Sequence, residues 1–184
     1  SYVVFPIVTG LIIVAEPMIR LLLTDRWISC VPFLQISCLF WMFQPSQTAN
    51  VQAIKASGRS DICLRLEIIK KAIGVILLFI AIQISPLAVA IMNAVFAGIS
   101  ALLNIFPNKK LIGYGIVEQM KDILPSLVLS IIMYVLVSPI VNIGCADIIT
   151  IFLQICLGIV IYIIGSYVLK IEAFLYILNL IKKK

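Results

Sequence analysis

The feature that most constrains this chain is the length of its charge-free runs. Residues 27–54, 72–108, 123–146 and 148–169 contain no Asp, Glu, Lys or Arg over 28, 37, 24 and 22 positions. A helix needs roughly 20 apolar residues to cross the hydrocarbon of a bilayer. Each run is long enough, and the longest is long enough for two helices joined at Ser85-Pro86. A water-soluble helical domain would alternate apolar and charged faces every few residues. With 63% hydrophobic and 12% charged residues there is no such alternation. A membrane β-barrel needs strands that alternate apolar and polar positions, whereas these runs are apolar on both faces. The expectation is an all-α, polytopic transmembrane helical bundle of about six spans, near residues 2–23, 29–56, 66–84, 87–106, 123–141 and 148–169.

Basic residues then orient the bundle. Of the 14 Lys and Arg, five (Lys55, Arg59, Arg65, Lys70, Lys71) fall in or beside the connector of the second and third spans. Three more (Lys109, Lys110, Lys121) lie between the fourth and fifth, and four (Lys170, Lys182, Lys183, Lys184) lie after the sixth. Only Arg20 and Arg26 fall in the alternate connectors. Short loops rich in Lys and Arg stay in the cytoplasm, so the pattern predicts a multi-pass protein of a bacterial inner (plasma) membrane with a cytoplasmic C-terminus. Residues 171–181 form a further apolar run, too short to span and bracketed by lysines. It is expected to be an interfacial helix with its basic ends on anionic headgroups.

Little in the connectors suggests catalysis. There is no histidine, and the eight acids (Glu16, Asp25, Asp61, Glu67, Glu118, Asp122, Asp147, Glu172) are dispersed. General acid–base chemistry wants a tuned group close to a substrate, and metal sites want clustered His, Cys or carboxylates. The expectation is no enzyme activity, no metal, no cofactor and no nucleic-acid partner. Cys30, Cys38, Cys63, Cys145 and Cys156 have no CxxC spacing and read as small hydrophobes.

The second span carries the one clear polar face. At about 100° per residue, Ser37, Trp41, Gln44, Gln47, Thr48, Gln52 and Lys55 fall within an arc of roughly 140°, interrupted by Phe40 and Val51. Polar side chains within a span face a partner helix or a water-filled cavity. Seven on one face suggest a cavity wall, with Gln44, Gln47, Thr48, Gln52 and Lys55 as the contact candidates. Interhelical hydrogen bonding is the plainer alternative. Pro45 lies inside this span and removes the backbone bond to the Trp41 carbonyl, which predicts a kink. Glu16-Pro17 predicts a helix restart, with Arg20 paired to Glu16 one turn on. In the fourth span Ala90, Ala94 and Gly98, like Ala97 and Ala101, recur every four residues and predict a close-packing face. Asn93 and Asn104 there are expected to bond across helices.

Two stretches carry a family resemblance. Ala15-Glu16-Pro17-Met18-Ile19-Arg20-Leu21-Leu22-Leu23-Thr24-Asp25-Arg26-Trp27, followed by Val31-Pro32-Phe33-Leu34-Gln35-Ile36, resembles a helix end, connector and helix start of bacterial polysaccharide flippases. Gln52-Ala53-Ile54-Lys55-Ala56-Ser57-Gly58-Arg59-Ser60-Asp61, running into residues 66–74, is similar to the cytoplasmic turn that follows in the same proteins. These are the Wzx-type O-antigen and capsule exporters of the multidrug/oligosaccharidyl-lipid/polysaccharide superfamily, which share a MATE-like fold of two six-helix bundles. The resemblance implies the C-terminal half of such a flippase. Residues 1–106 would supply four helices of the second bundle, 107–170 two additional helices and 171–184 a basic cytoplasmic tail. It also implies the substrate, an undecaprenyl-diphosphate-linked oligosaccharide flipped by alternating access. The implied partners are the bilayer and the N-terminal half of the same protein. On this template Gln44, Gln47, Thr48, Gln52 and Lys55 would meet sugar, and Lys70, Arg65 and Arg20 the anionic headgroup. The rival readings are a multidrug exporter of the same fold, a non-catalytic membrane subunit of a polysaccharide assembly complex, and an integral glycosyltransferase or polymerase.

Overall fold

The computed structural model describes residues 2–143, 146–169, 171 and 174. Apart from Ile171 and Phe174, the expected interfacial tail, with Lys170 and Lys182 to Lys184, lies outside the described residues. Among the described residues seven α-helices follow in order: α1 (Val4–Leu23), α2 (Val31–Met42), α3 (Gln44–Ala56), α4 (Ser60–Ile82), α5 (Pro86–Ile112), α6 (Ile116–Val137) and α7 (Asp147–Val168). Short 3-10 segments, Asp25–Cys30 and Ser138–Ile143, join α1 to α2 and close α6. The described residues contain no strand. The chain is an all-helical, multi-pass membrane protein, as its charge-free runs predict.

Five described segments are long and apolar enough to cross: Val4–Leu23, Asp25–Ala56, Pro86–Lys109, Ile116–Val141 and Asp147–Val168. The third expected span, residues 66–84, folds as α4, a continuous 23-residue helix. It falls outside those five because Arg65, Glu67, Lys70 and Lys71 occupy its first half. Its second half is as apolar as the others and exposes Leu78, Phe79, Ile80 and Ile82.

Local chemistry sets the helix ends. Gly58 and Gly113 terminate α3 and α5 at φ +71° and +70°, a left-handed conformation that glycine adopts without a Cβ clash. Ser85 caps α5 by accepting from the Ala88 amide at 3.1 Å, and Pro86 supplies a first-turn residue that needs no donor. Pro45 breaks the second span at Phe43 into α2 and α3. The expected kink is therefore a full helix break, and the Phe43 carbonyl recovers a bond from the Gln47 amide at 3.2 Å. The restart expected at Glu16-Pro17 does not occur. α1 runs through a buried Pro17, as membrane helices can when neighbours cover the freed carbonyl.

The chain divides into two compact units, Ser1–Gln35 with Asp122–Lys184, and Ile36–Lys121. In the first of these units α1 pairs with α7. In the first unit Tyr2 Oη donates to Ser166 Oγ and Tyr162 Oη donates to the Tyr2 carbonyl, both at 2.8 Å. Ile13, Leu129, Met133, Val137 and Tyr162 form its core. α7 turns Thr150, Gln154, Gly158, Tyr162 and Ser166 inward, a mostly small and polar face repeating every four residues that admits close helix approach. In the second unit α5 packs against both α3 and α4, with the Phe96 ring against Gly74.

Candidate functional site

Helix α3 is polar on two sides, and the two sides do different things. At about 100° per residue, Gln44, Thr48, Gln52 and Lys55 occupy an arc of roughly 80°, and all four are exposed. None of the four side chains has a hydrogen bond among the described residues. One helix earlier Ser37 and Trp41 are exposed as well. The α3 part of the face extends over roughly 16 Å at 1.5 Å per residue. It carries neutral amide and hydroxyl groups until Lys55, the first charge after Arg26. Gln47, at the edge of the sequence arc, is half-buried and donates to the Ala97 carbonyl of α5 at 3.2 Å. It belongs to packing.

The opposite side of α3 builds a buried polar cluster. Asn50 Nδ2 donates to Gln119 Oε1 at 3.1 Å, and Gln119 Nε2 donates back to Asn50 Oδ1. Asn108 Nδ2 donates to Asn50 Oδ1 at 2.8 Å and to the Asn50 carbonyl at 3.2 Å. Ser46 Oγ lies 3.4 Å from Gln119 Oε1 at the edge of the group. Asn50, Asn108 and Gln119 are buried and tie α3, α5 and the start of α6 together. Here is the interhelical bonding that the plainer alternative envisaged, and it uses a different face from the exposed stripe. Sequence reasoning misses it because residues 108–121 read as a connector. α5 instead continues to Ile112 and α6 begins at Ile116. Of the two asparagines expected to bond across helices, Asn93 is exposed and Asn104 is buried with an unpartnered Oδ1. The small-residue face is split likewise: Ala97 is buried, but a Cβ on Gly98 would meet nothing within 4 Å.

The three headgroup candidates differ in availability. Lys70 is only 8% exposed, and its Nζ lies on Glu67 Oε1 one turn earlier. Arg20 donates to Glu16 Oε1 at 2.7 Å and keeps 42% of its side chain exposed. Arg65 is exposed and has no carboxylate partner among the described residues. At the α3–α4 turn the Arg59 guanidinium, 3.2 Å from Asp61, holds that carboxyl below the usual carboxylate range.

The first unit contains a cavity of about 520 Å³ between α1 and α7, lined by Ile7, Gly10, Gln154, Ile159 and Tyr162 among others. Gln154 is 2% exposed and neither amide atom has a partner. The other walls are largely hydrocarbon, which suits an apolar chain and not a sugar. Among the described residues no group of three His, Cys, Asp or Glu could hold a metal ion.

A family profile described as "polysaccharide biosynthesis protein" matches residues 1–32. The matched segment covers α1, the 3-10 turn and the first two residues of α2, and so includes the Ala15 to Trp27 stretch. No curated protein and no solved structure matches the chain. At this coarse level the match and the apolar helices connect a multi-pass membrane protein with polysaccharide biosynthesis.

Proposed function

We propose that this chain is part of a flippase that carries a lipid-linked oligosaccharide across the inner membrane by alternating access, as a transporter and not an enzyme. The observation that supports this most is the exposed, uncharged polar face of α2 and α3 on a membrane-crossing segment. Polar side chains at membrane depth are costly against lipid and belong beside water or a polar ligand. The packing needs of α3 are met by its other side through Asn50 and Gln47, so the exposed side is free to serve as a cavity wall. A sugar headgroup cannot cross hydrocarbon unaided, while its lipid tail need not leave it. Gln44, Thr48 and Gln52 offer donors and acceptors to hydroxyls, and Lys55 offers a cation to a diphosphate. Arg65, exposed near the start of α4, is a second anion contact. Lys70 is bound to Glu67 and serves the fold of α4.

Replacing Gln44, Thr48 and Gln52 together by Leu in a cell that depends on this protein should abolish surface polysaccharide while membrane levels of the protein stay near normal. All three side chains are exposed and unbonded among the described residues, so folding should tolerate the change. Normal export by the triple variant would defeat the cavity-wall reading.

A further inference from the structure

We propose that Trp41 is the stacking platform for an uncharged pyranose ring of the transported headgroup, an inference that rests on the flippase reading above. Trp41 is 56% exposed and stands at the seventeenth of the 32 residues of the Asp25–Ala56 crossing segment. Tryptophans in membrane proteins gather at the two interfaces. That explains exposed Trp27 at the end of the same segment, but not an exposed indole at its centre. Nor are the neighbours of Trp41 those of a lipid-facing surface. Ser37 lies one turn before it on α2, and Gln44 and Thr48 follow beyond Phe43 on α3, all exposed. The Phe40 ring meets the indole edge-on, with centroids 5.3 Å apart and planes at 83°. This favoured aromatic geometry restricts the rotamers of Trp41.

An indole flanked by amides and hydroxyls combines two surfaces that a sugar ring needs. Its apolar, electron-rich face accepts the C–H face of a pyranose, and the adjacent polar groups take the ring hydroxyls at its edge. Charge narrows the class further. No charged residue occurs between Arg26 and Lys55, so this segment offers a uronic or other anionic sugar at Trp41 no counter-charge. The single cation at the end of the face, Lys55, complements a diphosphate. The face thus fits a headgroup that is neutral at the level of Trp41 and anionic toward Lys55.

Two measurements test this. In cells whose surface polysaccharide depends on the protein, Trp41→Leu should lower export at least tenfold at unchanged membrane level. Trp41→Phe, which keeps a ring, should stay within threefold of the parent, and Trp27→Leu should match it. Full export by Trp41→Leu, or equal loss in Trp41→Phe and Trp41→Leu, would overturn the platform. If the Gln44/Thr48/Gln52→Leu triple loses export while Trp41→Leu retains it, only this proposal falls. If the triple also exports normally, the flippase wall itself is lost. The second measurement uses the fact that the chain has only two tryptophans. In purified Trp27→Phe protein, the emission of Trp41 should change saturably with methyl β-D-glucopyranoside and at least tenfold more weakly with methyl β-D-glucuronide. No response to the neutral glycoside, or equal responses to both, would refute the assignment.

Discussion

Asn50 and Gln52 stand two positions apart on one helix and have opposite environments. Asn50 is 3% exposed and bonded to Gln119 and Asn108, whereas Gln52 is exposed and unbonded among the described residues. Truncating a buried amide strands its partners, at a cost of about 1–3 kcal/mol per unsatisfied group, although hydrogen bonds between membrane helices average only about 0.6 kcal/mol. Asn50→Leu should therefore lower the apparent melting temperature of the detergent-solubilised protein by several degrees, and Gln52→Leu should leave it within about one degree. Adding Gln119→Leu to Asn50→Leu should recover part of the loss, because two apolar side chains then replace a broken pair. Equal effects of Asn50→Leu and Gln52→Leu would mean that the two faces of α3 are not functionally distinct. The stripe on α3 was legible from sequence because amides and hydroxyls recurring every three or four residues in an apolar run must face water, a polar ligand or a neighbouring helix. The buried cluster was not, since two of its members lie in a lysine-containing stretch that reads as a connector. Helix continuation through Lys109 and Lys110, and the early start of α6 at Ile116, are decided by Gly113 and by packing, which periodicity does not encode. Lys70 shows the same limit. Its place in the sequence makes it a headgroup candidate, but only the structure reveals that Glu67 holds it.

At the scale of the helices, close approach is concentrated where glycine meets a fixed neighbour. A Cβ on Gly165 of α7 would overlap Leu129 Cδ1, and Leu129 is 2% exposed within the Ile13, Met133, Val137 and Tyr162 core, so it has little room to retreat. Gly98 of α5 has open space at the same position. Overpacking a tight core costs about 1–3 kcal/mol. Gly165→Ala should thus lower the apparent melting temperature by several degrees, while Gly98→Ala should leave it unchanged. A harmless Gly165→Ala would show that α6 and α7 separate easily. The sequence pointed to α5 as the close-packing helix through Ala90, Ala94 and Gly98. It offered less notice of α7, whose inward repeat mixes Thr150, Gln154, Gly158, Tyr162 and Ser166 and so escapes a search for small residues alone. Helix breaks were easier to anticipate than helix continuity: Pro45 ends α2, yet Pro17, Pro107 and Pro125 lie inside α1, α5 and α6. Which proline interrupts a membrane helix depends on what covers the freed carbonyl, and that is a property of neighbours.

For the molecule as a whole, the orientation depends on α4. The other crossing segments each keep a long stretch with few charges, but α4 carries Arg65, Glu67, Lys70 and Lys71 before eleven apolar residues from Ala72 to Ile82. If it crosses, the basic connectors fall on one side and the arrangement follows the positive-inside bias. If it lies in the interface, every later helix is inverted, and Lys109, Lys110 and Lys121 would face the periplasm. Two physical terms favour crossing. The Lys70–Glu67 pair neutralises one of the two cations nearest the apolar half of the helix, and the long side chains of Arg65 and Lys71 can snorkel toward the headgroups. The 23 residues of α4 also extend over roughly 35 Å at 1.5 Å per residue, enough for the hydrocarbon core. Single cysteines at Ser60 and Gln83, both exposed positions at the two ends of α4, decide the matter in a background with the five native cysteines replaced. An impermeant thiol reagent applied to intact spheroplasts should label the Gln83→Cys protein and spare the Ser60→Cys protein, with the pattern reversed in inside-out vesicles. Labelling of both from one side would place α4 in the interface, and labelling of both from the outer side would also remove the cytoplasmic orientation of Lys55 on which diphosphate capture from the cytoplasmic leaflet depends.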